Sequence, residues 1–425
     1  MLIRGARQVG KSSLVRLFGQ EFEHFVELNL ERNADRVQFD AKTTAKSLLE
    51  QLAFKIGFSL DSNNVLLFID EIQESPEAIA LLRFLQEDYP NIRVIAAGSL
   101  LEFALKDVPS FPVGRVEFYR LHPLSFSEFL EWQGLTRYAE ALDQVPTPSY
   151  AHEELLKQFH RYAFIGGMPR IVDAYSNGAS ATDLKPLFGG IWETYRADAE
   201  RYAKSRNKAQ ILRHLMFAAP LEDDRIKFAK FGNSHYRSRE VGEAFRALQL
   251  AGVIRLIYPT TSLLPPLTPA LKRSPRIQIL DTGLLCHARG LGPEVEQIDD
   301  LSSLFKGRIA QHLVTQERIA KHHEPGYQPF FWVREASGAS AEVDLLLHIN
   351  QQALPVEVKA GTSGRLRSLH SFIDRSQTKV AVRLLRNKSS REEAKTPAGT
   401  DYTLVNVPYY AASEIEEYIE NDSLN

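Results

Sequence analysis

The octet Gly5-Ala6-Arg7-Gln8-Val9-Gly10-Lys11-Ser12 constrains this chain more than any other stretch. It fits Gly-x-x-x-x-Gly-Lys-Ser/Thr, a loop that wraps a polyphosphate. Glycines let the backbone curl so that successive N–H groups point inward. The helix that follows turns the positive end of its dipole to the same place. Lys11 is expected to reach the outer phosphates, and the Ser12 hydroxyl to sit on Mg²⁺. Gly5, Ala6, Arg7, Gln8, Val9, Gly10, Lys11, Ser12 and Ser13 are therefore the candidate nucleotide-binding residues. On the octet alone, an ordinary glycine turn before a helix is the alternative.

Such a loop follows a buried parallel strand, and only Met1–Arg4 is available for it. Strands usually run to about five or six residues. The first strand is expected to be short and an upstream segment to be missing, which would weaken nucleotide affinity.

With 425 residues the chain has room for about two to four domains. A net charge of −2 leaves no global basic field for nucleic acid or membrane, so any nucleic-acid contact must come from a local patch. Cys286 is the single cysteine, which excludes an intrachain disulfide framework and a thiolate zinc site. A reducing, cytoplasmic setting fits. No run approaches the roughly 18 apolar residues of a membrane span, and no signal peptide precedes the loop.

The next constraint is Val65-Leu66-Leu67-Phe68-Ile69-Asp70-Glu71. A continuous apolar run is the pattern of a parallel strand buried on both faces. It ends in two carboxylates, at the end where α/β sheets bind ligands. Phosphoryl transfer needs one group to hold Mg²⁺ and another to orient the attacking water. Asp70 suits the first role and Glu71 the second. Phe25–Leu30 and Ile92–Ser99 read as further strands; Ala45–Ile56 and Glu77–Glu87 read as amphipathic helices. Ser99 ends its strand, where it either touches the γ-phosphate or the water, or caps a helix over Leu100–Leu105. Arg115, before a fifth strand, either stabilises transition-state charge, in cis or on a neighbour's nucleotide, or is a solvated surface arginine. The trans role would require an oligomer.

Taken in order, Gly5–Ser12 with Arg-Gln at its centre, Leu66–Glu71, Ala97-Gly98-Ser99, Gly114-Arg115 and Leu121-His122-Pro123-Leu124-Ser125-Phe126-Ser127-Glu128-Phe129 resemble the predicted AAA+ superfamily ATPases of bacteria and archaea. In those proteins the C-terminal half is a domain of unknown function. The resemblance implies a parallel sheet in the order 5-1-4-3-2. It also implies ATP and Mg²⁺ at a site built from Lys11, Ser12, Asp70 and Glu71.

Residues 126–204 read as a mostly helical lid, punctuated at Gly166-Gly167-Met168-Pro169-Arg170. Residues 205–264 read as a winged helix: Asn207–Ala218, a short helix within 222–237, Ser238–Gln249 and the strand Val253–Ile257. Arg237, Arg239 and Arg246 are its candidate phosphate contacts, opposed by Glu240 and Glu243 on the same helix. Pro265-Pro266 marks a further boundary.

Residues 265–425 read as an α/β module. A helix over Leu304–Ile319 and a strand over Pro329–Arg334 lead to a hairpin of Ala341–Ile349 and Ala353–Ala360, turning at Asn350-Gln351-Gln352. Alternation puts Glu357 and Lys359 on one face and Val356 and Val358 on the other. Asp344 lies on the partner strand. An acid on one strand beside Glu-x-Lys on its neighbour is the signature of PD-(D/E)XK nucleases, in which carboxylates hold Mg²⁺ and the lysine assists water and phosphate. A polar outer face of a hairpin is the alternative. The resembled family has a C-terminal domain of this nuclease-like kind, with a glutamate on the preceding helix where this chain has Gln311. An amide cannot supply that charge to a metal. Residues 386–399 read as a polar loop.

The expectation is an α/β protein: an AAA+ P-loop core over 1–125, a lid over 126–204, a winged helix over 205–264 and a restriction-endonuclease-like domain over 265–425. It is an ATP hydrolase acting as a switch or motor. The rivals are an ATP-gated nuclease acting on DNA and a nucleotide-sensing scaffold for a protein partner.

Overall fold

The computed structural model describes residues 1–99, 101, 114–201, 203, 205–291, 307–324, 326–334, 341–359, 366–376 and 378–421. Apart from Leu101, the expected helix over Leu100–Leu105 lies outside them. So do residues 304–306 of the expected helix over Leu304–Ile319, and Ala360 at the end of the expected hairpin.

The chain divides into two units. The first contains Met1–His122, with Leu250–Gly252 and His323–Gly326. Its sheet has five parallel strands: β1 (Leu2–Arg4), β2 (His24–Asn29), β3 (Val65–Asp70), β4 (Arg93–Gly98) and β5 (Phe118–Arg120). Their order is β2-β3-β4-β1-β5, which is the expected 5-1-4-3-2 read from the other edge. β1 has three residues, yet it pairs along its length with both β4 and β5.

The apolar run of β3 is buried at every residue. Successive side chains of a strand point to opposite faces, and here each face has its own cover. Leu67 and Ile69 pack with residues of the helices Ala45–Ile56 and Pro76–Asp88. Leu66 and Phe68 pack with Val15 of the helix Lys11–Gly19. Thr44 and Ser75 cap the helices on the first face, their hydroxyls accepting from Ser47 N and Ala78 N.

The second unit contains Pro123–Gln249, Val253–His322 and Tyr327–Asn425. It begins with helices over Phe126–Trp132, Thr136–Leu142, His152–Ile165, Pro169–Ser176 and Ala181–Arg201. Ser125 and Glu128 form a capping box at the start of the first. These helices, expected as a lid, share buried hydrogen bonds with the C-terminal residues. Phe126 N donates to Glu317 Oε2 at 3.0 Å, Gly167 N to Asp281 Oδ2 at 2.7 Å, and His152 Nδ1 lies 3.0 Å from Tyr410 Oη.

Helices Arg206–Ala218 and Ser238–Leu250 follow. Between them stand only the 3-10 turns Ala219–Leu221 and Phe231–Asn233, where a short helix was expected. Lys230, Gly232 and Asn233 have positive φ, which breaks a right-handed helix there. β6 (Ile254–Ile257) pairs antiparallel with β8 (Arg276–Ile279), while β7 (Pro259–Thr260) joins a larger sheet through β9 (Phe330–Val333). The expected boundary at residues 264 and 265 therefore falls between paired strands.

The larger sheet has seven strands in the order β13-β14-β12-β11-β10-β9-β7. β10 is Glu342–Ile349, β11 Gln352–Val358, β12 Val380–Leu385, β13 Ser390–Lys395 and β14 Asp401–Pro408. The expected polar loop over 386–399 contains β13, which pairs antiparallel with β14. Its charged residues stand at a sheet edge, where polar side chains face water. At the other end, helix Arg308–Ala320, the antiparallel meander β9-β10-β11, helix Arg367–Ser376 and β12, parallel to β11, give an α-β-β-β-α-β order. Asn350 and Gln351, both at positive φ, make the two-residue turn between β10 and β11. The hairpin does not have a polar outer face. All of β11 after Gln352 is buried, because helices contact it.

Candidate functional site

The phosphate-loop octet joins β1 to the helix Lys11–Gly19. Gly10 precedes the helix at φ 96°, a left-handed conformation that favours glycine. β1 and β3 flank β4, so the carboxyl ends of three parallel strands bring the loop, Asp70-Glu71 and Ser99 together.

Lys11 is buried, and its Nζ donates to Gly5 O at 3.1 Å and Ala6 O at 2.9 Å. Burial brings its pKa down to about 8, against the raising effect of Glu71 and Asp70. Ser12 Oγ donates to Asp70 Oδ2 at 2.7 Å, and Asp70 Oδ1 accepts from Glu71 N at 3.0 Å. Burial raises the Asp70 pKa, while the Ser12 hydrogen bond opposes that shift. An anionic carboxylate beside a hydroxyl is an oxygen donor pair of the kind Mg²⁺ takes together with nucleotide phosphates. The pair fits that ion.

Glu71 stands at φ 51° just past β3. Its Oε2 accepts from Gln73 Nε2 at 2.5 Å and from Ser99 Oγ at 3.5 Å. Among the other loop residues, Ala6 and Val9 are buried, Ser13 is exposed, and Arg7 pairs with Glu31 at 3.5 Å. Arg115 donates from Nε to Glu87 Oε1 at 2.8 Å, on the helix Pro76–Asp88. Gln73 is the residue that reading the sequence missed. It has no motif of its own; it matters through what the turn after β3 lets it touch.

In the second unit, Asp344, Glu357 and Lys359 also come together. Lys359 Nζ donates to Glu357 Oε1 at 2.5 Å, and Val358 N to Asp344 Oδ2 at 3.0 Å. Burial pushes the Glu357 carboxyl up to about 7; Asp344 adds to the rise and Lys359 opposes it. Asp344 Oδ1, however, accepts from Gln311 Nε2 at 3.0 Å, with Arg276 Nη2 at 3.5 Å. Arg276 also donates to Asp344 O at 3.2 Å and pairs with Glu342. Its guanidinium lies over the Phe331 ring, 4.3 Å from the centroid. Both carboxylate oxygens of Asp344 are thus engaged by donors. Among the described residues, no group of three His, Cys, Asp or Glu side chains is placed to hold a metal. Gln311 and Arg276 thus stand on the Asp344 oxygen nearest them, while the buried Glu357 Oε2 has no hydrogen-bond partner among the described residues.

On the helix Ser238–Leu250, Arg239 Nε donates to Glu243 at 3.0 Å, and Lys208 also pairs with Glu243. Local ion pairing weakens the positive field that phosphate contacts would need. Among the described residues no helix is long and apolar enough to cross a membrane.

Three family models match the chain: an AAA domain over residues 1–130, and two domains of unknown function, DUF8612 over 156–295 and DUF4143 over 306–410. No curated protein matches it. Among solved structures, the Walker-type ATPase of Pyrococcus abyssi is similar at 16% identity and a TM-score of 0.42, covering 68% of this chain and 90% of that one. Residues 1–130 thus match an AAA domain, and the five-stranded parallel sheet with the loop after β1 fits a P-loop fold.

Proposed function

We propose that this AAA domain binds ATP with Mg²⁺ and hydrolyses it, and that the cycle acts as a switch on the C-terminal domain. The observation that carries the reading is the Ser12–Asp70 contact of 2.7 Å, with Lys11 in the same loop and Glu71 next in sequence. Ser12 and Asp70 would hold Mg²⁺, which when bound neutralises phosphate charge. Lys11 would give up its loop carbonyls for the outer phosphates. Its lowered pKa of about 8 would rise again beside that anion, keeping it cationic. Glu71 would orient the attacking water, with Ser99 beside it. Arg115 would stabilise transition-state charge only after leaving Glu87.

Phosphate release measured on the wild type and on Lys11→Ala tests this. The variant should lose roughly 10²-fold or more, the scale for removing one preorganised charge. Equal release would sink the hydrolase and leave a nucleotide-sensing scaffold for a protein partner. A cytoplasmic setting agrees with the single, buried Cys286.

A second reading, an ATP-gated nuclease, draws on the α-β-β-β-α-β order and on Asp344, Glu357 and Lys359. The donors already on Asp344 oppose it. We infer a nuclease-like domain that binds rather than cuts. Supercoiled plasmid should stay intact with Mg²⁺ or Mn²⁺, with and without ATP. Cutting that disappears in Asp344→Ala would reinstate the nuclease.

A further inference from the structure

Gln73 lies in the 3-10 turn Ile72–Glu74 that follows β3. Its amide nitrogen donates to Glu71 Oε2 at 2.5 Å. Its amide oxygen is buried and has no hydrogen-bond partner among the described residues. That oxygen lies against Gly98 at the end of β4, where an added Cβ would stand 2.4 Å from it. Ser99, the next residue, reaches the same Glu71 oxygen at 3.5 Å.

These contacts ask why a glutamine is there. A buried acceptor without a partner is unfavourable, and an apolar side chain of the same length would avoid the cost. The amide keeps one useful bond, the donation to Glu71. Glu71 is held in a left-handed backbone conformation, which carries a steric cost for a residue with a Cβ. Its side chain has three rotatable bonds and would otherwise sample several rotamers. A donor fixed in the turn selects one of them. The selected carboxylate oxygen is the one that Ser99, at the end of β4, also reaches.

We propose that Gln73 is a positioning residue that presents the Glu71 carboxylate to the nucleotide site, and that position 98 is glycine because the Gln73 amide fills the space of a side chain. The proposal rests on the ATP-hydrolase reading and adds what sets the orientation of the water-directing group. Losing that orientation costs rate and not affinity, because correct placement of a reacting group acts on the barrier.

Gln73→Met keeps length and removes the donor. Its kcat for ATP hydrolysis should fall at least about tenfold. Its KM for ATP, its ADP affinity by calorimetry and its thermal midpoint should stay at wild-type values. Gly98→Ala should lower kcat in the same way by displacing the amide. In a Gln73→Ala background, Gly98→Ala should add no further loss, since the clash is gone. Wild-type kcat in Gln73→Met would overturn the proposal. So would a loss of kcat that tracks a loss of ADP affinity, which is the signature of a packing role. If the wild type itself releases no phosphate, the hydrolase reading falls and takes this proposal with it, an outcome seen before any variant is made.

Discussion

Glu71→Gln is expected to reduce phosphate release by about 10²-fold or more while nucleotide binding persists. The swap keeps size and hydrogen-bonding reach but removes the charge that orients and polarises water. The Gln73 amide can still donate to the side-chain oxygen at position 71, so the variant removes the charge and leaves that hydrogen bond available. Asp70→Asn should differ. Asp70 takes the Ser12 hydroxyl and the Glu71 N–H, so its loss disturbs the Mg²⁺ donors and weakens Mg²⁺-dependent nucleotide affinity too. Turnover by phosphate release and affinity by fluorescent ADP, read side by side, separate the two. A Glu71→Gln protein that turns over like the wild type would remove Glu71 from the water-orienting role.

The second large effect concerns stability. Glu317 is fully buried on the helix Arg308–Ala320, and burial pushes its carboxyl up to about 7. Its partners explain which form the site suits. Tyr162 Oη lies 2.6 Å from Leu124 O and 2.9 Å from Glu317 Oε1, and accepts from Gln316 Nε2 at 2.8 Å. A tyrosine has one proton to donate. If Glu317 is protonated, it can donate to Tyr162 while Tyr162 donates to Leu124 and Phe126 N–H still finds an acceptor. If Glu317 is ionised, Leu124 O and the carboxylate compete for one proton.

A carboxyl whose folded pKa lies above its unfolded value stabilises the fold least when ionised. Stability is therefore lost as pH rises from about 4.5 to about 7, and the loss amounts to about 3 kcal/mol. Glu317→Gln mimics the protonated form, since its amide can donate to Tyr162 and accept from Phe126. Urea unfolding of the full chain at pH 5 and pH 8 isolates the effect. The variant should lie within about 1 kcal/mol of wild type at pH 5. The difference between them should shift by about 2.5 kcal/mol in the variant's favour at pH 8, since part of the loss has already occurred at pH 5. Asp281, whose pKa burial raises to about 6, and His312, lowered to about 3, are present in both proteins and cancel. Parallel pH curves for the two proteins would show that Glu317 does not titrate in this window.

Much of the first unit was legible because its signals are local. The phosphate loop is one contiguous octet, and the β3 run declares burial by its own composition. Strand order 5-1-4-3-2 came from the resemblance, and the pairing of β1 with β4 and β5 agrees with it. In the second unit the local signals misled. The charged stretch over 386–399 contains an edge strand, since pairing with β14 does not require apolar side chains. A polar outer face was the alternative reading of Glu357 and Lys359, yet Glu357 is buried. The lid and the C-terminal module looked separable from the chain order, yet Phe126 and Tyr162 bond to Glu317 in the interior.

The amino-acid sequence by itself determined the nucleotide loop, the acidic end of β3 and the α/β class, because each depends on backbone conformation and spacing within a few turns of one chain. The tertiary structure decided how those groups are set. It put the Gln73 amide on Glu71, two donors on Asp344 Oδ1, and Glu317 out of water. Desolvation and pairing are properties of neighbours, and the neighbours that matter here come from different elements. Arg276 reaches Asp344 from β8, and Tyr162 reaches Glu317 from another helix. No pattern along the chain specifies such meetings; only the packed fold does.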